Sequence, residues 1–314
     1  MVDAAGEMSG PPPRASLFSN GRHRITEFAG WMAWPPLVAF LPGRLAHRLC
    51  LWLAGRPRLF PLDQADALPT VPDASGSSAS IREQWRARHR LIHLVDRADA
   101  WLSRFRPDKW LDEAVDQRGD EWPQAPFVAV TFHFGAGLWA LRDIARQRGP
   151  IAFLSTRFDR SAFRASPIAY YAARWRMGEV ARAGGAPVVY TGGSRRAMRV
   201  ALARGVSVAG LIDVPPGQTR GFLPVSFLGE TAWFPCGLVE LARDAEVPLV
   251  AFAMGLSGDS MRRVLTIRVI GPGPIEVQLA EVVGLLEAAI AEDPSAWHRW
   301  RDLQAFRQSP LKIQ

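Results

Sequence analysis

From residue 124 onward, short apolar runs alternate with helical periodicity, and that alternation most narrowly limits the fold. Strand-like runs fall at 127–132, 151–155, 187–190, 206–212, 248–254 and 264–270. Between them, apolar residues recur at helical spacing over 137–148, 167–182, 194–204, 235–246 and 277–292. Strands that alternate with helices of this length read as βαβ units. The expected fold class is therefore α/β, with a mixed, mostly parallel central sheet flanked by helices. Residues 124–314 are read as that domain. Residues 1–123 are read as a disordered tail, an N-terminal helical appendage that forms a hairpin or membrane-association region, and a linker. In this part the tail 1–20 is rich in Gly, Pro and Ser, and 57–80 holds four prolines and a Ser-rich run. Residues 81–117 read as helical, with apolar residues on an arginine-rich background.

No uninterrupted run of about 20 apolar residues occurs, which argues against a membrane-spanning helix. The nearest stretch is 28–54. Pro35, Pro36, Pro42 and Gly43 divide it into two short helices, and Arg44 and Arg48 charge the second. Trp31, Trp34 and Trp52 beside these arginines suit an interfacial anchor. A helical hairpin packed on the main core fits the same pattern, and both readings stand. The formal charge is +8, and all but Lys109 and Lys312 of the 38 basic residues are arginine. Such a surface favours anionic partners: lipid headgroups, nucleic acid or an acidic carrier protein. The arginines are scattered over helices without a compact basic tail, so nucleic acid ranks last. Two cysteines, Cys50 and Cys236, give neither a disulfide framework nor a metal-ligand cluster. His89 and His93 have the four-residue spacing of helical metal ligands, but no third ligand accompanies them in sequence. No metal and no cofactor is expected.

Two stretches carry chemistry. Residues 128–139 read Val-Ala-Val-Thr-Phe-His-Phe-Gly-Ala-Gly-Leu-Trp. His133 thus ends a strand and Gly135 and Gly137 follow, as a general base placed at a strand mouth requires. The second stretch, 204–254, runs strand, Asp213 with Val-Pro-Pro-Gly, a Phe-Leu-Gly hairpin, a Pro-Cys-Gly helix start and another strand. Asp213 also suits a turn cap beside Pro215. Gly192-Gly193-Ser194 before a helix suits either a phosphate at the helix N-terminus or a plain turn with Ser194 as N-cap. Cys236 at a helix start is read as a small buried residue rather than a nucleophile, and His298 as a packed C-terminal residue.

The ordered set resembles the late acyltransferases of lipid A biosynthesis and the wider glycerolipid acyltransferase-like superfamily. The pieces are Thr131-Phe-His133-Phe-Gly135, Leu154-Ser-Thr-Arg157, Arg174-Trp-Arg-Met-Gly178, Asp213-Val-Pro, Leu223-Pro-Val-Ser-Phe-Leu-Gly229, Phe234-Pro-Cys-Gly237, Glu246-Val-Pro-Leu-Val-Ala and Trp297-His-Arg-Trp300. The similarity covers roughly 124–305. It implies transfer of an acyl chain from acyl carrier protein or coenzyme A to a hydroxyl or amine of a lipid or glycolipid. The enzyme would sit peripherally on the cytoplasmic face of the bacterial inner membrane. His133 would be the base, with Gly135, Gly137, Arg157 and Arg174 toward the substrate.

One departure is plain. The family places an acid five residues after the histidine, and here that residue is Leu138. Asp213 is the preferred substitute because it ends a strand at the edge where α/β sheets gather ligands. Asp143 lies two helical turns further on, and Asp159 belongs to a flanking loop. A relative that binds lipid or carrier protein without turnover is the alternative reading.

Overall fold

A computed structural model describes residues 24–62, 78–164, 166–216, 221–258 and 260–310. It is an α/β protein whose seven-stranded sheet has the order β1-β9-β8-β2-β5-β3-β4. The strands are β1 (Val115–Gly119), β2 (Val128–Thr131), β3 (Ile151–Ser155), β4 (Val189–Tyr190), β5 (Ser207–Leu211), β8 (Leu249–Leu256) and β9 (Arg263–Ile270). All pairings are parallel except β8 with β9. A two-stranded antiparallel hairpin, β6 (Phe222–Phe227) and β7 (Glu230–Pro235), carries the Phe-Leu-Gly turn. β2 lies mid-sheet, and Val128, Ala129 and Val130 are fully buried. Its unbroken apolar run is what a strand covered on both faces demands.

The expected strands and helices from 127 to 292 are all present, with ends displaced by up to two residues. β1 is the exception, since its first three residues, Val115 to Gln117, close the stretch read as helical. It is a polar edge strand paired in parallel with β9. The sheet therefore includes residues upstream of 124.

Upstream helices share that core. A helical stretch from Arg24 runs through a π turn (Ala29–Ala33) into α1 (Trp34–Phe40). Pro35 and Pro36 occupy the first turn of α1, where a missing N–H costs least. They are absorbed rather than breaking the chain, and the break falls at Leu41-Pro42 instead. α2 (Gly43–Ala54) and the long α3 (Ser78–Phe105) follow, the latter starting inside the stretch read as linker. Residues 63–77 of that stretch, and the tail 1–20, lie outside the described residues. Val38, Cys50, Leu53, Leu91 and Val95 join one buried cluster with Val128, Val208 and Leu249. Asp99 of α3 and Arg263 of β9, both almost fully buried, form an ion pair that ties helix to sheet.

α1 and α2 are two-faced. Val38, Ala39, Ala46, Cys50 and Leu53 are buried, while Phe28, Leu37, Phe40, Leu45, Leu51 and Trp52 are exposed. Phe40 packs on the exposed Phe105 at 5.1 Å between ring centroids, which extends the apolar surface onto α3. No helix among the described residues is long and apolar enough to cross a membrane.

Candidate active site

β2 and β5 are parallel neighbours, with Thr131 opposite Leu211. His133 and Asp213 each lie two residues beyond that pair. The sheet register therefore delivers both to the same C-terminal edge, the edge where α/β folds bind ligands. His133 Nδ1 is 2.9 Å from Asp213 Oδ1. The His133 backbone N–H donates to both carboxylate oxygens at 2.9 Å. Trp297 Nε1 donates to Oδ2, also at 2.9 Å.

Exposure separates the two roles. The Asp213 side chain is 0% exposed, whereas that of His133 is 33% exposed. A carboxylate can only accept, so Nδ1 carries the imidazole proton and Nε2 keeps its lone pair. His133 lines a cavity of about 650 Å³. Around it the wall is mainly apolar, including Phe153, Met177, Val180, Met198, Leu238 and Phe252. The arrangement is a buried acid, an oriented imidazole and an apolar hollow. A second cavity, about 420 Å³, lies beyond Phe134 and does not include His133.

The other sequence expectations divide. Leu138, where an acid was expected, is 3% exposed and forms part of the cavity wall at the start of α4 (Leu138–Arg148). Asp143 lies on the same helix but is committed elsewhere: Trp122 Nε1 donates to it at 2.8 Å, and Gln147 and Arg146 also bind it. Asp159 caps Ser161, whose donors hold its carboxyl below the usual range, and it does not line the cavity.

Gly135 and Gly137 do line it, though Gly135 serves the backbone. Its φ is +61°, and a Cβ there would lie 1.9 Å from the Met254 carbonyl oxygen. Only glycine lets the chain after His133 run this close to β8. The Gly135 N–H donates to Ala296 O and the Ala136 N–H to Met254 O, so neither is available to a substrate. Gly137 caps α4 and borders the cavity.

Arg157 and Arg174 are exposed and do not line the cavity. Their guanidinium groups lie over the rings of Tyr190 (5.0 Å) and Tyr170 (5.8 Å). Arg176 lines it instead, paired with Asp96 of α3 at 2.6 Å. The phase of α5 (Pro167–Gly184) explains the difference. Arg176 lies four residues after buried Ala172 and four before buried Val180, so it shares the inward face. That periodicity was available in the sequence.

Gly192 and Gly193 have left-handed φ values and turn the chain into α6 (Ser194–Ala203) at the cavity rim. Gly193, not Ser194, is the N-cap. Cys236 is 4% exposed, its thiol donates to Gly221 O, and burial pushes it up to about 11. A thiol so protonated is no nucleophile at neutral pH.

His298 does more than pack at the C-terminus. Its backbone N–H donates to His133 O at 2.8 Å, and Phe134 bridges Trp297, so residues 133–135 and 296–298 are clamped together. Its ring lies 4.2 Å from that of His93 and 5.7 Å from that of His89. His93 and His89 approach through their Nε2 atoms at 3.1 Å. Among the described residues no group of three or more His, Cys, Asp or Glu is arranged to hold a metal ion.

Burial, followed by neighbouring histidines and arginines, holds His93 and His298 well below the usual imidazole range, and burial lowers His89 as well. All three are neutral when folded and gain protons more readily when unfolded. Their contribution to stability is complete above about pH 6.5 and is lost as pH falls below it. Thermal denaturation from pH 7.5 to 5 is expected to show Tm nearly level down to about pH 6.5 and falling below it. A flat profile would contradict neutral burial of the cluster.

No protein-family model matches this chain, and no curated protein matches it.

Proposed function

We propose that the protein is an acyltransferase that moves an acyl chain from a thioester of acyl carrier protein or coenzyme A to a hydroxyl or amine of a lipid or glycolipid. The observation that carries this reading is the His133–Asp213 pair at the mouth of an apolar cavity. In the proposed step, His133 Nε2 takes the acceptor proton as the acceptor oxygen or nitrogen attacks the thioester carbonyl carbon. The carbonyl π electrons move onto oxygen. Their return breaks the C–S bond, and the departing thiolate takes the proton from the imidazolium. Asp213 holds Nδ1–H throughout and balances the charge that develops on the ring. With the Gly135 and Ala136 amides committed, the N-terminal turn of α4 beside Gly137 is the favourable place on this wall for the oxyanion. Arg157 and Arg174 have no part in the step.

The non-catalytic alternative was motivated by Leu138. Asp213 beside His133 supports the catalytic reading over that alternative. The test is incubation of the purified protein with a C12 acyl-coenzyme A or C12 acyl carrier protein and a bacterial membrane lipid extract. Thiol release and mass spectrometry of the lipids are then followed. Release coupled to an acylated lipid is expected, and lipid or thioester binding without any transfer would overturn the reading.

The apolar faces of α1 and α2 beside Arg44 and Arg48 support peripheral docking at the cytoplasmic face of the inner membrane. Phe40→Asp with Trp52→Asp is expected to weaken co-flotation with anionic vesicles about tenfold or more, while leaving the melting temperature near that of the wild type. Unchanged flotation would remove this surface from the proposal.

A further inference from the structure

We infer that Trp297 is the positioning residue of the site: its indole N–H fixes the Asp213 carboxylate, and through it the His133 ring. This inference rests on the reading of His133 as the base. Among the described residues no arginine or lysine pairs with Asp213, and three N–H donors hold this buried carboxylate. Two belong to His133, namely its backbone N–H and its Nδ1–H. The third, Trp297 Nε1–H, comes from a different part of the chain. Without it, both remaining donors of the three belong to the residue that the carboxylate is meant to orient.

The indole is itself immobilised. Trp297 is fully buried, and its ring meets Phe227 of β6 at 5.5 Å, Trp300 at 4.9 Å and Phe306 at 6.1 Å. The backbone on either side is pinned to the histidine segment, through Ala296 O to Gly135 N and His298 N to His133 O. The same short segment thus sets the histidine backbone by main-chain bonds and the acid by a side-chain bond. Packing from the β6–β7 hairpin and the C-terminal turns is converted into the orientation of one carboxylate. Partners of this outer kind, where they have been mutated at metal sites, cost roughly 10- to 100-fold.

Trp297→Phe keeps the aromatic packing and removes the donor. In the C12 thioester assay it is expected to lower kcat roughly 10- to 100-fold per folded molecule, with KM within about twofold. In an Asp213→Asn background the same change is expected to add less than about twofold, because its route of action is already broken. A purely structural tryptophan would leave kcat per folded molecule unchanged, or would add its full cost in both backgrounds, and either result overturns the inference. A second arm needs neither turnover nor a stable Trp297 variant. In the ¹H–¹⁵N spectrum of Asp213→Asn, one buried indole cross-peak is expected to move upfield relative to wild type; if none moves, the inference fails. If His133→Ala retains full transfer, the reading of His133 fails, whereas the indole shift still reports whether Trp297 holds Asp213.

Discussion

Replacing His133 with alanine is expected to lower acyl transfer by about 10²- to 10⁴-fold, the usual contribution of a positioned general base. The loss should appear in kcat with little change in KM, because the apolar wall that would hold the acyl chain is untouched. Folding should be nearly unaffected. The ring is partly exposed, and among the described residues its one side-chain hydrogen bond is to Asp213. Near-UV circular dichroism and the melting temperature would establish this beside the rate. Transfer at the wild-type rate would leave the cavity without a base and end the proposed mechanism.

Asp213→Asn is expected to cost a comparable factor, roughly 10²- to 10⁴-fold, by a different route. An asparagine that turns its NH₂ toward the ring makes Nδ1 the acceptor, which moves the imidazole proton to Nε2. The nitrogen facing the substrate then has no lone pair to offer. Asp213→Ala adds a folding penalty, because it strands the N–H groups of His133 and Trp297 in a buried place at about 1–3 kcal/mol each. The pair of variants separates chemistry from stability: Asn should be slow and folded, Ala slow and less stable. Equal melting temperatures for the two would show that the three donors find water or other partners.

Much of this was legible in the sequence, for physical reasons that differ between residues. The β2 run could be read because a mid-sheet strand must be apolar on both faces. β1 could not, since a polar edge strand carries no such pattern and is fixed only by its partner β9. Asp213 was legible from its position at a strand end. Arg157 and Arg174 were misplaced because closeness to a strand end or to a motif does not say which way a side chain turns. Helical phase favoured Arg176. The contact of Trp297 with Asp213 joins residues 84 apart. No local rule of propensity or periodicity reaches that far.

In the helical version of such a dyad, acid and base are kept apart by the pitch of one helix, and the distance is written into the chain as a fixed count of residues. Here the count is kept by neighbouring strands, through the Thr131–Leu211 rung of the sheet. Loops between the two strands can lengthen or shorten without moving either side chain, and the first turn of α4 is released to become lining, as Leu138 has. Chains built this way will share a ladder position rather than a spacing. They are to be recognised by a histidine and an aspartate at equal heights beyond adjacent parallel strands.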